Sequence, residues 1–260
     1  MIKITDEQMT TGKLDKEELI LTVTEPKIRL SSLTFSPEQN KVFKRLILEF
    51  RQQSKLRQYG LKHRRKLLLY GPPGTGKTVT ASALAGELNM PLFTIRLDGL
   101  FTKYKGETAC KLRQVFESMT TNRGLYFFDV IGSERHSPND VGEIRRVLNS
   151  FLTFVKDDDS NSLIVVTTNH IDPLDFALFR WFDDVVQYEL PSSNQVRQII
   201  ENRLYKFTLK EIDWGVLEQK VAGYGLSHAD ITRSCDDAAK TSVLERDGTI
   251  DTNDLVRTLK

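Results

Sequence analysis

One segment constrains the fold more than any other feature: residues 71–78 read GPPGTGKT and match the pattern G-x-x-x-x-G-K-[ST]. An apolar strand is predicted over 66–70, directly before this segment, and a helix over 77–88 leaves it. Glycines allow a loop between a strand and a helix to turn successive backbone N–H groups toward one anion. The segment therefore predicts a phosphate-binding loop inside an α/β fold.

Two side chains at the end of this loop suit a nucleoside triphosphate with its metal ion. Lys77 offers a positive charge to the β- and γ-phosphates, and the hydroxyl of Thr78 offers a ligand to Mg²⁺. The N-terminus of the following helix adds partial positive charge at the same place. The predicted nucleotide contacts in this part of the chain are Gly71, Pro72, Pro73, Gly74, Thr75, Gly76, Lys77, Thr78 and Val79.

A second motif supplies an acidic group for the metal. Residues 125–128 are apolar and precede Asp129, so this carboxylate is expected at the C-terminal edge of a strand. Open α/β sheets bind their ligands at that edge. We therefore expect Asp129 and Thr78 to hold the metal ion together. An ordinary strand-ending aspartate in a turn is the alternative interpretation.

Short apolar runs and helical patterns alternate on both sides of the loop. Strands are predicted over 66–70, 92–97, 124–130, 163–168 and 185–190, with helices over 77–88, 108–119 and 142–155. This alternation is typical of βαβ units, so we expect an open parallel sheet with helices on both faces. After Pro191 the strand pattern stops, and four helices are predicted over 192–207, 214–222, 227–244 and 252–259.

Three regions follow from this pattern. Residues 1–32 are polar and weakly periodic, which indicates an N-terminal arm or linker with a candidate edge strand at 19–23. Residues 33–190 are predicted to form an αβα nucleotide-binding domain. Residues 191–260 are predicted to form a small helical domain, within the usual size range of such units.

Composition argues against several other classes of protein. The 260 residues carry 37 Lys and Arg against 35 Asp and Glu, which gives a net charge of +2. Because non-specific nucleic-acid binding depends on an excess of positive charge, this value argues against it. The basic run 62–66 is interpreted as a solvated loop. No apolar run reaches the roughly 20 residues of a membrane span. Because the first residues lack a secretory signal, a cytoplasmic location is expected.

Together these motifs resemble the AAA (AAA+) family of P-loop ATPases, and most of all the bacterial single-module members of its classical branch. The resemblance extends from about residue 33 to the C-terminus. It implies an αβα domain followed by a helical lid, with ATP and Mg²⁺ as cofactors. It also implies an oligomeric ring, homomeric or mixed, that acts on a protein partner without a membrane.

Two segments resemble catalytic parts of that family. Residues 163–169, LIVVTTN, resemble the sensor-1 strand, which implies that Asn169 faces the γ-phosphate. Residues 175–183, DFALFRWFD, resemble the arginine-finger segment, in which a guanidinium reaches the nucleotide of a neighbouring subunit. The catalytic residues implied by this resemblance are Lys77, Asp129, Asn169 and Arg180.

Two other segments resemble contact regions of the family. Residues 225–231, GLSHADI, resemble the small-domain turn that closes over the nucleotide base, which implies contacts from His228 and Ala229. Residues 101–108, FTKYKGET, resemble the first pore loop, which implies that Tyr104 and its neighbour Lys105 grip a polypeptide in the ring channel. A surface loop with an incidental tyrosine is the alternative for the second segment.

The sequence departs from the family pattern directly after Asp129. Val130 stands where the family usually has the glutamate that polarises the attacking water, and a valine cannot accept a proton. Glu134 is a substitute only if the following loop folds back. Otherwise Glu134 is a solvated loop charge.

The finger segment departs from the pattern as well. Trp181 stands where the family often has a second arginine, and tryptophan carries no charge. Two interpretations of Arg180 are open: it serves as the finger, or it is a structural residue paired with Asp183 or Asp184.

These observations leave two principal functions open. The first is an ATPase that couples Mg²⁺-dependent hydrolysis, slowed by Val130, to the remodelling of a protein partner. The second is a non-hydrolysing subunit or switch that is gated by bound ATP. The segment around Tyr104 favours the first, whereas Val130 and Trp181 favour the second. A third option, a nucleic-acid-associated ATPase, depends on the basic run 62–66 alone.

Overall fold

The computed structural model describes residues 21–96, 105–130, 141–169 and 179–259, with the backbone alone described at 96, 105–109, 130 and 141–148. The strands within these ranges are β1 (Leu21–Thr24), β2 (Lys66–Tyr70), β3 (Leu92–Arg96), β4 (Leu125–Val130), β5 (Leu163–Thr168), β6 (Asp184–Gln187), β7 (Thr208–Leu209) and β8 (Thr249–Ile250). The helices are α1 (Pro37–Arg51), α2 (Gln53–Gln58), α3 (Lys77–Leu88), α4 (Lys105–Thr121), α5 (Val141–Asp157), α6 (Ser193–Arg203), α7 (Trp214–Tyr224), α8 (His228–Glu245) and α9 (Thr252–Thr258). Within the same ranges, no helix has both the length and the apolar character needed to cross a membrane.

Six strands form one sheet in the order β1-β3-β4-β5-β2-β6. Strands β2 to β6 run parallel to one another, and β1 pairs antiparallel with β3 at one edge, where Leu21 lies opposite Ile95. The expected α/β fold with a mainly parallel sheet is therefore confirmed. Strand β1 overlaps the candidate edge strand at 19–23, whose first two residues lie outside the described residues.

Alternate side chains of the central strands enter two separate cores, because successive residues of a strand point to opposite faces. Leu67 and Leu69 belong to one apolar cluster, together with Phe43 of α1. Leu68 belongs to a second cluster, together with Phe116 of α4. Helices therefore cover both faces of the sheet, which is typical of parallel sheets.

The carboxyl ends of three strands lie side by side at one edge of the sheet. In the parallel register Tyr70 of β2 pairs with Thr168 of β5, and Asp129 of β4 pairs with Thr167 of β5. The glycine-rich loop leaves the sheet at this edge. Residues 71–76 connect the end of β2 to α3, which begins at Lys77. The fold therefore brings the glycine-rich loop and the strand-ending aspartate together.

The chain after Pro191 forms a mainly helical unit with its own apolar cluster. The expectation that strands stop after Pro191 is wrong, because β7 and β8 pair as a small parallel sheet. Two residues per strand are too few to show any periodicity in a sequence. Helix α6 also ends at Arg203 rather than near 207, and the N–H of Thr208 bonds to the carbonyl oxygen of Gly248 beside β8.

The expectation of a solvated loop at 62–66 is wrong for its two arginines. Arg64 Nη1 lies 2.8 Å from Asp184 Oδ1, and Arg65 pairs with the largely buried carboxylate of Asp158. These partners are distant in the sequence, so a run of like charges gives no sign of them. Because both guanidinium charges are matched within the chain, this run gives little support to nucleic-acid binding.

Candidate functional site

The loop between β2 and α3 is packed closely against two other segments. Gly71 has a φ of 138° and Gly74 a φ of 73°, both in the region that favours glycine. A Cβ atom on Gly71 would lie 2.0 Å from the carbonyl oxygen of Tyr188, and one on Gly74 would lie 2.3 Å from Ser227 Oγ. Both positions therefore require glycine, for backbone conformation and for close approach.

Lys77, the first residue of α3, is 7% exposed. Its Nζ donates hydrogen bonds to the carbonyl oxygens of Gly71 and Pro72, at 2.6 and 2.8 Å. Burial lowers the pKa of the amine to about 8, and the negative charge of Asp129 acts in the opposite direction. A phosphate beside Lys77 would raise this pKa again, because an opposite charge favours the ammonium form.

Asp129 is half-buried at the carboxyl end of β4. Its Oδ1 accepts a hydrogen bond from the hydroxyl of Thr167 on β5, at 2.8 Å. A carboxylate has about four acceptor positions, so this bond orients Asp129 and leaves capacity for a metal ion. Thr167 does not stand out in the sequence, because only the pairing of β4 with β5 brings it next to Asp129.

These residues fit a nucleotide with Mg²⁺. Mg²⁺ takes oxygen ligands and is usually held by one or two carboxylates together with substrate phosphates. Asp129 offers such a carboxylate, and Thr78 offers a hydroxyl in the exposed first turn of α3. The N-terminus of α3 and the buried amine of Lys77 suit the phosphates themselves.

Helix α8, the longest helix of the helical unit, begins in contact with the phosphate loop. Ser227 caps α8, and its backbone N–H and hydroxyl both donate to Asp230 Oδ2, at 3.0 and 2.7 Å. These bonds lower the pKa of the Asp230 carboxyl. The backbone N–H of Ala229 donates to the carbonyl oxygen of Gly74 at 2.9 Å. The structure thus brings Ala229 into direct contact with the loop.

His228 lies between Ser227 and Ala229 at the start of α8. Its Nδ1 is buried and has no hydrogen-bond partner among the described residues. Burial lowers the pKa of the imidazole and so favours its neutral form. The nucleotide contact expected from His228 stays a prediction, and its unpaired nitrogen gives that prediction a specific atom.

Asn169 lies at the same edge of the sheet as the loop. The N–H of Gly71 donates to the carbonyl oxygen of Thr168 at 3.3 Å, and Asn169 follows directly and is half-buried. Asn169 therefore follows the end of β5 at the edge where the loop and Asp129 lie. Its role toward the γ-phosphate stays a prediction.

Arg180 is exposed in a short helical turn at 179–181. Asp183 Oδ2 accepts from the backbone N–H of Arg65, at 2.8 Å, and Asp184 pairs with Arg64. The structural alternative, in which one of these acids pairs with Arg180, is not formed among the described residues. Among the described residues, the guanidinium of Arg180 thus has no acidic partner, and the residue is exposed.

The residues on each side of Arg180 fix its position. The ring of Phe179 stacks on that of Tyr70, with centroids 6.1 Å apart, and Tyr70 directly precedes the phosphate loop. Lys156 Nζ lies 5.1 Å from the centroid of the Trp181 ring, which is within the range of a cation–π contact. Trp181 thus contacts α5 through Lys156.

Four residues singled out in the sequence have no described side chain. Tyr104 and Glu134 lie outside the described residues. Lys105 is the first residue of α4 and Val130 the last of β4, each with its backbone alone described. The roles considered for these four residues stay predictions.

The nucleotide-binding region is similar to that of known proteins. Residues 67–190 match the family described as "ATPase family associated with various cellular activities (AAA)". The chain is also 34% identical over 239 residues to the uncharacterized AAA family ATPase y4kL of Sinorhizobium fredii. That similarity covers 91% of this chain and 72% of the relative.

Two further relatives are longer proteins. The chain is 30% identical over 249 residues to the proteasome-activating nucleotidase of Saccharolobus solfataricus, covering 91% of this chain and 63% of the relative. It is 31% identical over 204 residues to the ATP-dependent zinc metalloprotease FtsH of Karelsulcia muelleri, covering 74% of this chain and 33% of the relative. The chain thus spans less than two thirds of these two relatives.

The region matched by the family contains the loop, Lys77, Asp129 and its partner Thr167. ATP with Mg²⁺ is the usual cofactor of that family, and the donor atoms found at the edge of the sheet suit both. Fold, site and similarity agree, and the chain belongs to the AAA family of ATPases.

Proposed function

We propose that this protein binds ATP with Mg²⁺ and hydrolyses it slowly in order to remodel a protein partner. The observation that carries the proposal is the group of side chains at the carboxyl edge of the sheet. Lys77 is buried inside the loop, and Asp129 is oriented by Thr167. Membership of the AAA family supports ATP binding and hydrolysis in general terms.

Each side chain of this group has a chemical task. Lys77 neutralises charge on the β- and γ-phosphates, and the N-terminus of α3 binds their oxygens. Thr78 and Asp129 hold Mg²⁺, which when bound neutralises the charge that develops on the phosphates. Asn169, which follows the adjacent end of β5, is the proposed contact to the γ-phosphate.

Turnover is expected to be slow because Val130 cannot act as a general base. Loss of such a group lowers a rate by about 10²–10⁴-fold. The contacts to phosphate and metal do not depend on that base, so binding is expected to stay strong. We therefore expect the protein to bind ATP tightly and to hydrolyse it slowly.

A protein is the proposed target, and a ring is the proposed assembly. The names of two relatives refer to activation of the proteasome and to proteolysis, and both describe action on proteins. In this chain Tyr104 and Lys105 are the proposed grip on a polypeptide. Arg180, exposed beside Trp181, is the proposed contact with a neighbouring subunit's nucleotide, which requires head-to-tail assembly.

A second candidate is favoured by Val130 and Trp181. In this alternative the protein binds ATP without hydrolysing it, and the bound nucleotide stabilises a surface for a partner. The helical unit, which contacts Gly74 through Ala229, would then respond to the nucleotide directly. The two candidates share the nucleotide-binding site, and the presence or absence of ATP hydrolysis distinguishes them.

Steady-state release of inorganic phosphate tests the proposal. Purified protein with Mg²⁺ and ATP is expected to release phosphate at a slow rate that disappears when Lys77 is replaced by alanine. Release at the rate of an unimpaired AAA ATPase would contradict the role given to Val130. Release no faster than that of Lys77→Ala would favour the non-hydrolysing alternative.

Light scattering after size exclusion tests the assembly. The mass of the protein is compared with and without ATP and Mg²⁺, and an oligomer that forms or tightens with ATP is expected. A monomer at every ATP concentration would contradict the role proposed for Arg180 in a homomeric ring.

A further inference from the structure

Tyr188 follows β6 directly and touches the first residues of the phosphate loop through its backbone. Its N–H donates to the carbonyl oxygen of Tyr70 at 2.7 Å. Its own carbonyl oxygen lies where a Cβ of residue 71 would be. The main chain of Tyr188 therefore fixes the start of the loop.

The side chain of Tyr188 is connected to the other end of the same loop through Thr80. Tyr188 is 4% exposed, and burial raises the pKa of its phenol, so the hydroxyl keeps its proton. That hydroxyl donates to Thr80 Oγ1 at 2.8 Å. Thr80, 1% exposed on α3, donates in turn to the carbonyl oxygen of Gly76 at 2.9 Å. Three groups thus form one chain of hydrogen bonds that ends on the loop.

The end of this chain controls the direction of one loop N–H. The carbonyl oxygen of Gly76 also accepts from the backbone N–H of Thr80, so two donors fix it toward α3. A trans peptide is planar, and its C=O and N–H point in opposite directions. The N–H of Lys77, in the same peptide unit, must then point out of the helix N-terminus, where an anion binds.

We propose that Tyr188 and Thr80 are positioning residues for the phosphate loop, whose paired hydroxyls aim the Gly76–Lys77 peptide at a nucleotide phosphate. The inference rests on the proposed nucleotide-binding function. Tyr188 acts through Thr80, and Thr80 acts through Gly76. Neither side chain needs to touch the nucleotide.

Stability alone gives little reason for two buried hydroxyls at this place. Replacing both partners of a buried hydrogen bond by apolar groups of the same shape is often nearly neutral for folding. Phenylalanine and valine have the shapes of tyrosine and threonine, so the double replacement separates the two roles. It removes the hydrogen bonds without leaving a donor unpaired.

The test compares Tyr188→Phe, Thr80→Val, the double variant and Thr80→Ser by two measurements. Calorimetry gives the dissociation constant for Mg·ATP, and urea titration gives the free energy of unfolding. We expect Tyr188→Phe to weaken binding about threefold and Thr80→Val up to about tenfold. Thr80→Ser, which keeps the hydroxyl, is expected to bind like the unaltered protein.

The double variant decides between a positioning and a merely structural role. Thr80→Val leaves the Tyr188 hydroxyl buried without an acceptor, and the added Tyr188→Phe removes that penalty. We therefore expect the double variant to regain stability while its affinity stays as weak as that of Thr80→Val. Affinity that recovers together with stability would overturn the inference.

Tyr126→Phe is the matched control. Tyr126 is also fully buried, and its hydroxyl donates to the carbonyl oxygen of Asn122 at 2.9 Å, at the opposite end of β4 from Asp129. It is expected to lose stability without losing affinity. If the unaltered protein binds Mg·ATP and the Tyr188 and Thr80 variants bind it equally well, the inference alone is overturned. If the unaltered protein does not bind Mg·ATP, the proposed function fails as well.

Discussion

The phosphate loop and the short turn around Arg180 differ in how their charged side chains are satisfied. In the loop region Lys77 is buried against two carbonyl groups, and Asp129 is held by Thr167. Arg180 is exposed, and it forms no ion pair with the described residues. Lys77 and Asp129 are therefore held by contacts inside the chain, whereas Arg180 lies at the surface without an acidic partner among the described residues. This difference supports our proposal that a single chain binds the nucleotide and that catalysis requires an assembly.

The largest expected effect concerns the group missing after Asp129. Val130→Glu adds the carboxylate that can polarise water, and we expect steady-state phosphate release to rise by about 10²–10⁴-fold. Val130→Gln is the matched control, because glutamine has nearly the same shape as glutamate but carries no charge. It is expected to give no such gain. An unchanged rate in Val130→Glu would mean that the loop region lacks more than one group.

The next effect concerns the support for the metal ligand. Thr167→Val removes the hydrogen bond to Asp129 Oδ1, and loss of such a support typically weakens metal affinity about 10- to 100-fold. A titration of Mg²⁺ at fixed ATP is expected to show this shift. Thr167→Ser keeps the hydroxyl and should behave like the unaltered protein. Equal Mg²⁺ dependence in all three proteins would show that Asp129 needs no orientation from β5.

A smaller effect follows from the pKa of about 8 at Lys77. A bound phosphate raises this pKa, so binding takes up a proton in the range above pH 8 and affinity falls as the pH rises. Between about pH 7.5 and 8.5 the protonated fraction of a group with this pKa falls about threefold, and we expect the affinity for Mg·ATP to fall equally. Calorimetry in buffers of different ionisation enthalpy measures the proton uptake. Lys77→Arg, which does not titrate in this range, should lose the dependence.

The smallest effect is expected at the exposed arginine. Because Arg180 makes no ion pair with the described residues, Arg180→Ala should change the free energy of unfolding of the monomer by less than about 0.5 kcal/mol. Arg64→Ala leaves Asp184 without its partner and should cost about 1–3 kcal/mol. Chemical denaturation of both variants measures the contrast. A similar loss in both would indicate that Arg180 is structural after all.

Local features of the sequence were sufficient for the loop region. Strand β2, the glycines and α3 follow one another along the chain, so apolar pattern, turn residues and helix start are all visible within about 25 residues. The placement of Asp129 at the same edge also followed, because parallel strands end on one side of a sheet.

Contacts between distant residues could not be predicted in this way. The bond from Thr167 to Asp129 depends on the pairing of β4 with β5, and that from Tyr188 to Thr80 joins residues 108 positions apart. The ion pair between Arg65 and Asp158 likewise turned a presumed solvated run into part of the fold. Periodicity describes which face a residue occupies and does not identify its partner on another element.

The affinity of Lys77→Ala for Mg·ATP tests the central claim most directly. Charge-assisted hydrogen bonds to phosphate account for about a 10- to 100-fold difference in affinity, and we expect a loss of this size by calorimetry. Lys66→Ala is the matched control, since Lys66 Nζ is also partly buried and donates to a backbone carbonyl, that of Val155, at the other end of β2. We expect Lys66→Ala to bind Mg·ATP like the unaltered protein. Equal affinity in Lys77→Ala and the unaltered protein would contradict the claim that the loop at the edge of the sheet holds the nucleotide.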